Sequence, residues 1–302
     1  MLRQSLIFIY LPLAVIFERF AHYKMSVVLP MWLLQGQQLT GNAASELRGD
    51  TDLFMGLAVL LGGVAALVIG PRLTALAGAV LMAVGYAAVA GTDASSFHLV
   101  RWLLIVGSGL FQPAIYACAG QEMRGQAETR WALFFLVLAV STNLGAFLGT
   151  TIGGLFTGNH SGALILSAVA ATLAGGTVAA LGFIHRSKEQ PQSEINHKLP
   201  AGIAILWCAI LPSSLLMAHA DRVVVTRLEP SALPSTLGVG TAVGFIVTLA
   251  HIAVFLFFAN KSRRVVLPLI GSGLVLSAAG IVPLLIGGAT AITASVVLLA
   301  PC

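Results

Sequence analysis

The chain is a succession of long apolar stretches, and that feature leaves few folds open to it. Nine of them, at roughly 6–35, 52–70, 73–91, 98–120, 131–156, 162–183, 200–222, 235–258 and 265–286, are long enough to cross a membrane. A crossing takes about 20 apolar residues for a hydrocarbon core of about 30 Å. A tenth stretch begins near Ala289 and reaches Cys302. At about 1.5 Å per residue it covers about 21 Å, less than a full crossing. Backbone groups in hydrocarbon find no water, so a spanning segment is a helix or a strand of a closed barrel. Barrel strands run about ten residues with alternating polarity, a pattern these stretches lack. Only 9% of the residues are charged, against about 25% in soluble domains. The expected fold is all-α: a polytopic transmembrane helical bundle with the lipid bilayer as its solvent.

Lys and Arg gather at the cytoplasmic ends of membrane spans. With the N-terminus in the cytoplasm of the cell (inner or plasma) membrane, ten of them lie inside: Arg3, Arg72, Arg124, Arg130, Arg186, Lys188, Lys198, Lys261, Arg263 and Arg264. Four lie outside, namely Arg48, Arg101, Arg222 and Arg227. The break at 184–199 is polar, highly charged and on the inside. Six spans, a polar linker and further spans make the layout of the major facilitator type, built from two six-helix halves. The expected organisation is a six-helix half at 1–183, a linker at 184–199, and an incomplete second half at 200–302 with helices 7 to 9 and part of a tenth. The net charge of +5 follows the loops and forms no basic block with interleaved aromatics, so no nucleic-acid partner is expected. Cys118, Cys208 and Cys302 are far apart in apolar surroundings, which suggests neither a disulfide framework nor a metal site. No Walker loop, HExxH or GxSxG occurs, so no enzyme, cofactor or metal is expected.

The first span carries the residues on which function turns. Val15 to Met25 reads VIFERFAHYKM. On a helix, Val15, Glu18, Arg19, His22 and Tyr23 share roughly one face. Charges in a span are costly and by default point into a bundle interior or a watery cavity. The competing reading is a buried pair that only fixes helix packing. Adjacent helical residues face each other poorly, so Glu18 and Arg19 are each expected to find a partner elsewhere.

Glu18-Arg19-Phe20-Ala21-His22-Tyr23 resembles the ERFxYY part of the ExxERFxYY motif of the proton-coupled oligopeptide transporters. Gly107-Ser108-Gly109-Leu110-Phe111-Gln112-Pro113 is similar to that family's GxGLFKPN stretch, and Asn143-Leu144-Gly145-Ala146 to its INxGA stretch. The three occur in the same order on helices 1, 4 and 5, and the likeness covers about residues 10–185. Val15 stands where the family has its first Glu, His22 where it has a Tyr, and Gln112 where it has a Lys. In the family that Glu and that Lys belong to a network for proton coupling and carboxylate binding. Replacing one alone would strand a charge at a cost of about 3–5 kcal/mol; replacing both avoids this, so the site looks consistently altered.

The resemblance implies a secondary active transporter for di- or tripeptides or related carboxylates, proton-coupled and working by alternating access. Arg19 would meet the anionic end of a small substrate, because a guanidinium pairs with a carboxylate at two points. Tyr23, Gln112 and Asn143 complete the expected substrate contacts. Glu18 is the remaining carboxyl for proton coupling, and His22, which titrates near neutral pH, is a second candidate. Asn143 fits a substrate contact or a bond to a neighbouring helix equally well. Gln112, just before Pro113, fits a contact to a backbone group freed by the proline. Gly145, Gly149 and Gly153 form a small-xxx-small face for close helix packing. His219 with Asp221, and His251, read as helix-end or interhelical polar groups rather than ligands or relays. Two other readings stand beside this one: a facilitator-type transporter of another solute, and a non-transporting, truncated or degenerate membrane paralogue.

Overall fold

The computed structural model describes residues 2–124, 126–156, 158–184 and 246. The linker beyond 184, helices 7 to 9, the tenth fragment, Cys208, His219, Asp221, His251 and Cys302 lie outside the described residues. Six helices run through the described part: α1 Leu2–Met31, α2 Gly41–Val68, α3 Pro71–Ala90, α4 Ala94–Glu122, α5 Glu128–Gly154 and α6 His160–Ile184. Each is long and apolar enough to cross a membrane, and together they make a multi-pass membrane bundle.

Local chemistry sets the helix ends. A five-residue π-helical turn, Trp32–Gly36, extends α1. Thr40 caps α2, its hydroxyl oxygen accepting from the Ala43 N–H at 3.3 Å. Helix α2 therefore starts eleven residues before the apolar stretch expected at 52–70, because its first turns are polar and only later ones reach the apolar zone. Gly70 holds φ at 89° to turn the chain into Pro71, the first residue of α3. Asp93 caps α4: the Ser96 N–H donates to it at 2.9 Å and holds its carboxyl down to about 2. The Asn159 side chain accepts from Gly162 N–H at 2.9 Å and caps α6.

The helices pack in two groups. Helix α1 lies against α5 and α6, α4 lies against α2 and α3, and α3 meets α6. Exchanging helices 1, 2 and 3 for 4, 5 and 6 leaves this contact pattern unchanged, as expected of two three-helix repeats nested in a facilitator half. Glycines set the close crossings. A Cβ on Gly145, Gly149 or Gly153 would stand 2.6 Å from the Ile16 carbonyl, 2.5 Å from the Phe20 carbonyl or 3.3 Å from the Val27 Cβ, respectively. The expected glycine face of α5 thus lies on α1. In the equivalent crossing, a Cβ on Gly62 of α2 would overlap the Gly109 carbonyl of α4.

Helix α2 also covers two of the three backbone oxygens that the interior prolines Pro12, Pro30 and Pro113 release. Pro30 has no N–H for Ser26, and the Arg48 Nη1–H donates to the Ser26 carbonyl at 2.9 Å instead. Pro113 has none for Gly109, and the Gly62 Cα–H side faces that oxygen. Arg48 is 6% exposed and is also paired with Asp52 one turn on. It lies near the end of the bundle away from the N-terminus but is an interior cation, because its long stem carries the guanidinium inward to α1. Arg48→Met is expected to lower stability by about 3 kcal/mol, since it leaves Asp52 and the Ser26 carbonyl short of a donor. Thermal denaturation in detergent measures this; an unchanged midpoint would show that the carbonyl is satisfied in another way.

Several buried hydroxyls bond within their own helices. Thr51 donates to the Leu47 carbonyl at 2.7 Å, and Ser167 to the Ala163 carbonyl at 3.3 Å. At the end that holds the N-terminus, Arg72 of α3 pairs with Glu122 of α4 at 2.5 Å.

Candidate functional site

Glu18 and Arg19 lie midway along α1. Their side chains are 2% and 11% exposed. They bind each other rather than separate partners: Arg19 Nε donates to Glu18 Oε2 at 2.5 Å and Nη2 to Oε1 at 2.7 Å. The expectation of a partner elsewhere fails for Glu18, because the guanidinium stem is long enough to fold back over one residue and present its fork to both carboxylate oxygens.

Arg19 has a second partner across the bundle. Gln112 of α4 faces it, and the amide orientation that satisfies both groups puts the Gln112 oxygen 3.0 Å from Nη1 and also against Nη2. Gln112 thus turns to Arg19, while Gly62 covers the carbonyl freed by Pro113. Val15 is buried at 5%, so an apolar side chain occupies the position one turn before the pair. The result is an ion pair with a neutral amide on its outer fork. Gly145 brings α5 against the Arg19 stem, where a Cβ would meet the Arg19 Cβ at 2.7 Å.

Tyrosines surround the pair. Tyr23 and Tyr116 lie within electrostatic reach of Arg19, and the buried Tyr86 of α3 lies within reach of Glu18. Tyr116 begins a row of stacked rings: it lies 6.2 Å from Phe135, which lies 4.2 Å from Trp131. Such a row joining α4 to α5 was not visible in the sequence, because Tyr116 and Phe135 belong to different helices.

His22 also lies within electrostatic reach of Arg19 and Glu18. His22 packs edge-on to Tyr23 at 5.3 Å. It also lines a void of about 10 Å³ with Ser26, Arg48, Thr51 and Asp52, room for about one water. Asn143 donates from its amide to the Ala139 carbonyl of its own helix at 3.1 Å. Two features were missed from the sequence. Lys24 is fully buried with no hydrogen-bond partner for Nζ. At the end away from the N-terminus, a cleft of about 520 Å³ is lined by Glu46, Asp50, Ser95, His98 and Arg101 among others. Among the described residues, no group of three or more His, Cys, Asp or Glu is placed to hold a metal ion.

Six helices in two exchangeable triplets, with a buried ion pair at mid-depth, define the N-terminal half of a major facilitator bundle. Comparison with solved structures gives the same fold. The chain is similar to a peptide transporter POT solved in complex with sulfate, with a TM-score of 0.65 and 16% identity over 97% of this chain and 79% of that one. It is also similar to a bacterial homologue of the human drug peptide transporters PepT1 and PepT2, with a TM-score of 0.56 and 20% identity over 84% of this chain and 59% of that one. A POT family transporter in complex with 5-aminolevulinic acid matches with a TM-score of 0.56 and 20% identity, over 91% of this chain and 59% of that one. No family profile matches the sequence, and no curated protein matches it.

Proposed function

We propose that this chain is a secondary active transporter that moves short peptides or related small carboxylates by alternating access, coupled to protons. The observation that carries this reading is Arg19: a guanidinium at mid-membrane depth, held by a carboxylate on one side and a neutral amide on the other. A mid-span Arg costs at least about 2.5 kcal/mol on insertion scales, so its retention favours a use. The solved peptide transporters of the same fold support the substrate class, and the one bound to 5-aminolevulinic acid carries a ligand with both an amine and a carboxylate.

The chemistry follows from the fork. A substrate carboxylate competes with Glu18 for the same two donors. Two carboxylates on one guanidinium repel each other, so protonation of Glu18 frees Arg19 for the substrate and links the two binding events. His22 is the second proton-linked candidate, with Tyr23, Gln112 and Asn143 as further substrate contacts. The proposed setting is the cell membrane with the N-terminus and the 184–199 linker in the cytoplasm. Arg72, Arg124 and Arg130 at the N-terminal end support that orientation. Neutral Val15 and Gln112 favour, as second reading, a facilitator transporter for a different solute.

Uptake of a labelled dipeptide by vesicles holding the full chain is the test. Arg19→Lys is expected to raise the substrate concentration for half-maximal uptake about tenfold, because a point charge replaces the fork. Glu18→Gln is expected to change the pH dependence more than the affinity. No uptake by the wild type across a panel of short peptides would remove the peptide reading.

A further inference from the structure

Among the described residues, Lys24 is a cation with no anion bound to it. Its relative exposure is 0%, and Nζ has no hydrogen-bond partner. It lies in the seam between α1 and α5, where Gly153 makes room for its stem: a Cβ there would meet Lys24 Cγ at 3.4 Å. Nζ stands 4.6 Å from the centre of the Phe156 ring and 5.7 Å from that of Phe20.

Of the charged and titratable groups on neighbouring elements none is bonded to Lys24, and His22 Nδ1 and His160 Nδ1 are themselves without a hydrogen-bond partner. Glu18 and Arg19 bind each other, and His22 lines the void beside Arg48 and Asp52 of α2. Tyr116 of α4 lies near Arg19. His160 of α6 lies near Gly36, at the end of the π-helical turn. None of these makes a hydrogen bond or ion pair with Lys24.

Two aromatic faces attract an ammonium, by about 2 kcal/mol when it is desolvated. They do not replace water or a carboxylate, whose loss costs several kcal/mol. A neutral amine in the same place needs neither. The charge of this side chain is therefore tied to whether water reaches it.

We propose that Lys24 is a proton-linked residue of the α1–α5 seam: a neutral amine while the seam is closed, and an ammonium when the seam opens and water reaches Nζ. The proton comes from hydronium in the water that enters, leaving water behind, and returns to water when the seam closes. Lys24 lies five residues beyond Arg19, about 8 Å toward the end away from the N-terminus. Opening at that end and protonation are then a single event, on the same helix as the Glu18–Arg19 centre. The proposal rests on the transport reading for its purpose, though not for its first test.

The chain has four lysines, Lys24, Lys188, Lys198 and Lys261, so ¹³Cε-lysine labelling of the full chain in lipid nanodiscs gives four signals. The one absent from Lys24→Arg is Lys24. Its chemical shift is expected to move reversibly between pH 6 and 9; a shift that stays fixed over that range overturns the proposal, whether or not the chain transports. The second measurement is dipeptide uptake across pH 5.5 to 8. Lys24→Met, equal in length and apolar, is expected to fold with an unchanged or higher melting midpoint and to flatten the pH profile at least threefold. A profile that superimposes on that of the wild type removes Lys24 from coupling. Absence of uptake in the wild type would count against the transport reading alone, with the labelling result still deciding the state of Lys24.

Discussion

Arg19→Met is expected to lower stability by about 3–5 kcal/mol, and adding Glu18→Gln to the same chain is expected to restore most of it. The reason lies in burial. Glu18 is 1% exposed, and both of its oxygens are bound by Arg19. Removing the guanidinium leaves a carboxylate in a low-dielectric site without its donors, a far larger loss than the net worth of the pair. The second substitution removes the stranded charge, so the double variant should be more stable than Arg19→Met alone. Melting midpoints in detergent for wild type, both single variants and the double variant measure the coupling. Additive effects would mean that the pair is not a unit and that another group holds Glu18.

Gly149→Leu is expected to lower stability by about 3 kcal/mol or more. Even a bare Cβ at this position would stand 2.5 Å from the Phe20 carbonyl and 3.0 Å from the Lys24 amide nitrogen. Both are backbone atoms, so no side chain can swing aside, and α1 and α5 must separate along their length. Gly176→Ala in α6 is the internal control. Nothing stands within 4 Å of its Cβ position, and alanine suits a helix interior better than glycine by about 0.5–1 kcal/mol. The first variant should melt lower than wild type and the second no lower. If Gly149→Leu melts with the wild type, the glycine face has no packing role.

How much of this was legible in the sequence depended on distance along the chain. The six spans could be read because each is a local property of length and apolarity. The face of Gly145, Gly149 and Gly153 could be read from a four-residue spacing. The start of α2 could not, because residues 41–51 are polar and resemble a loop until a cap and a bundle are in place. Gly62 against Gly109, and Gln112 against Arg19, each join residues dozens of positions apart, and no local pattern marks such pairs. Glu18 and Arg19 were found as a site, but their mutual fork was not expected, since the rule for adjacent helical residues assumes side chains that project straight outward. The inward turn of Arg48 could not be read, because only the meeting of α2 with α1 at Pro30 reveals the carbonyl it serves. Lys24 stood in plain view within the first span, and only its burial without an anion sets it apart.

The adjacency of Glu18 and Arg19 has a consequence for biosynthesis. Membrane segments leave the ribosome in order, and α1 comes first, before Arg48, Gln112 and Phe156 have been made. A charged residue near the centre of a lone span costs about 2.5–3.5 kcal/mol at insertion, and this span holds Glu18, Arg19 and Lys24. An ion pair with a partner on a later segment could not help the newborn span. One formed between neighbours on the same segment is available at once and offsets part of that cost while the other helices are still being synthesised. Lys24 finds the carboxylate of its own span, Glu18, already taken by Arg19, and enters at lower cost as the neutral amine.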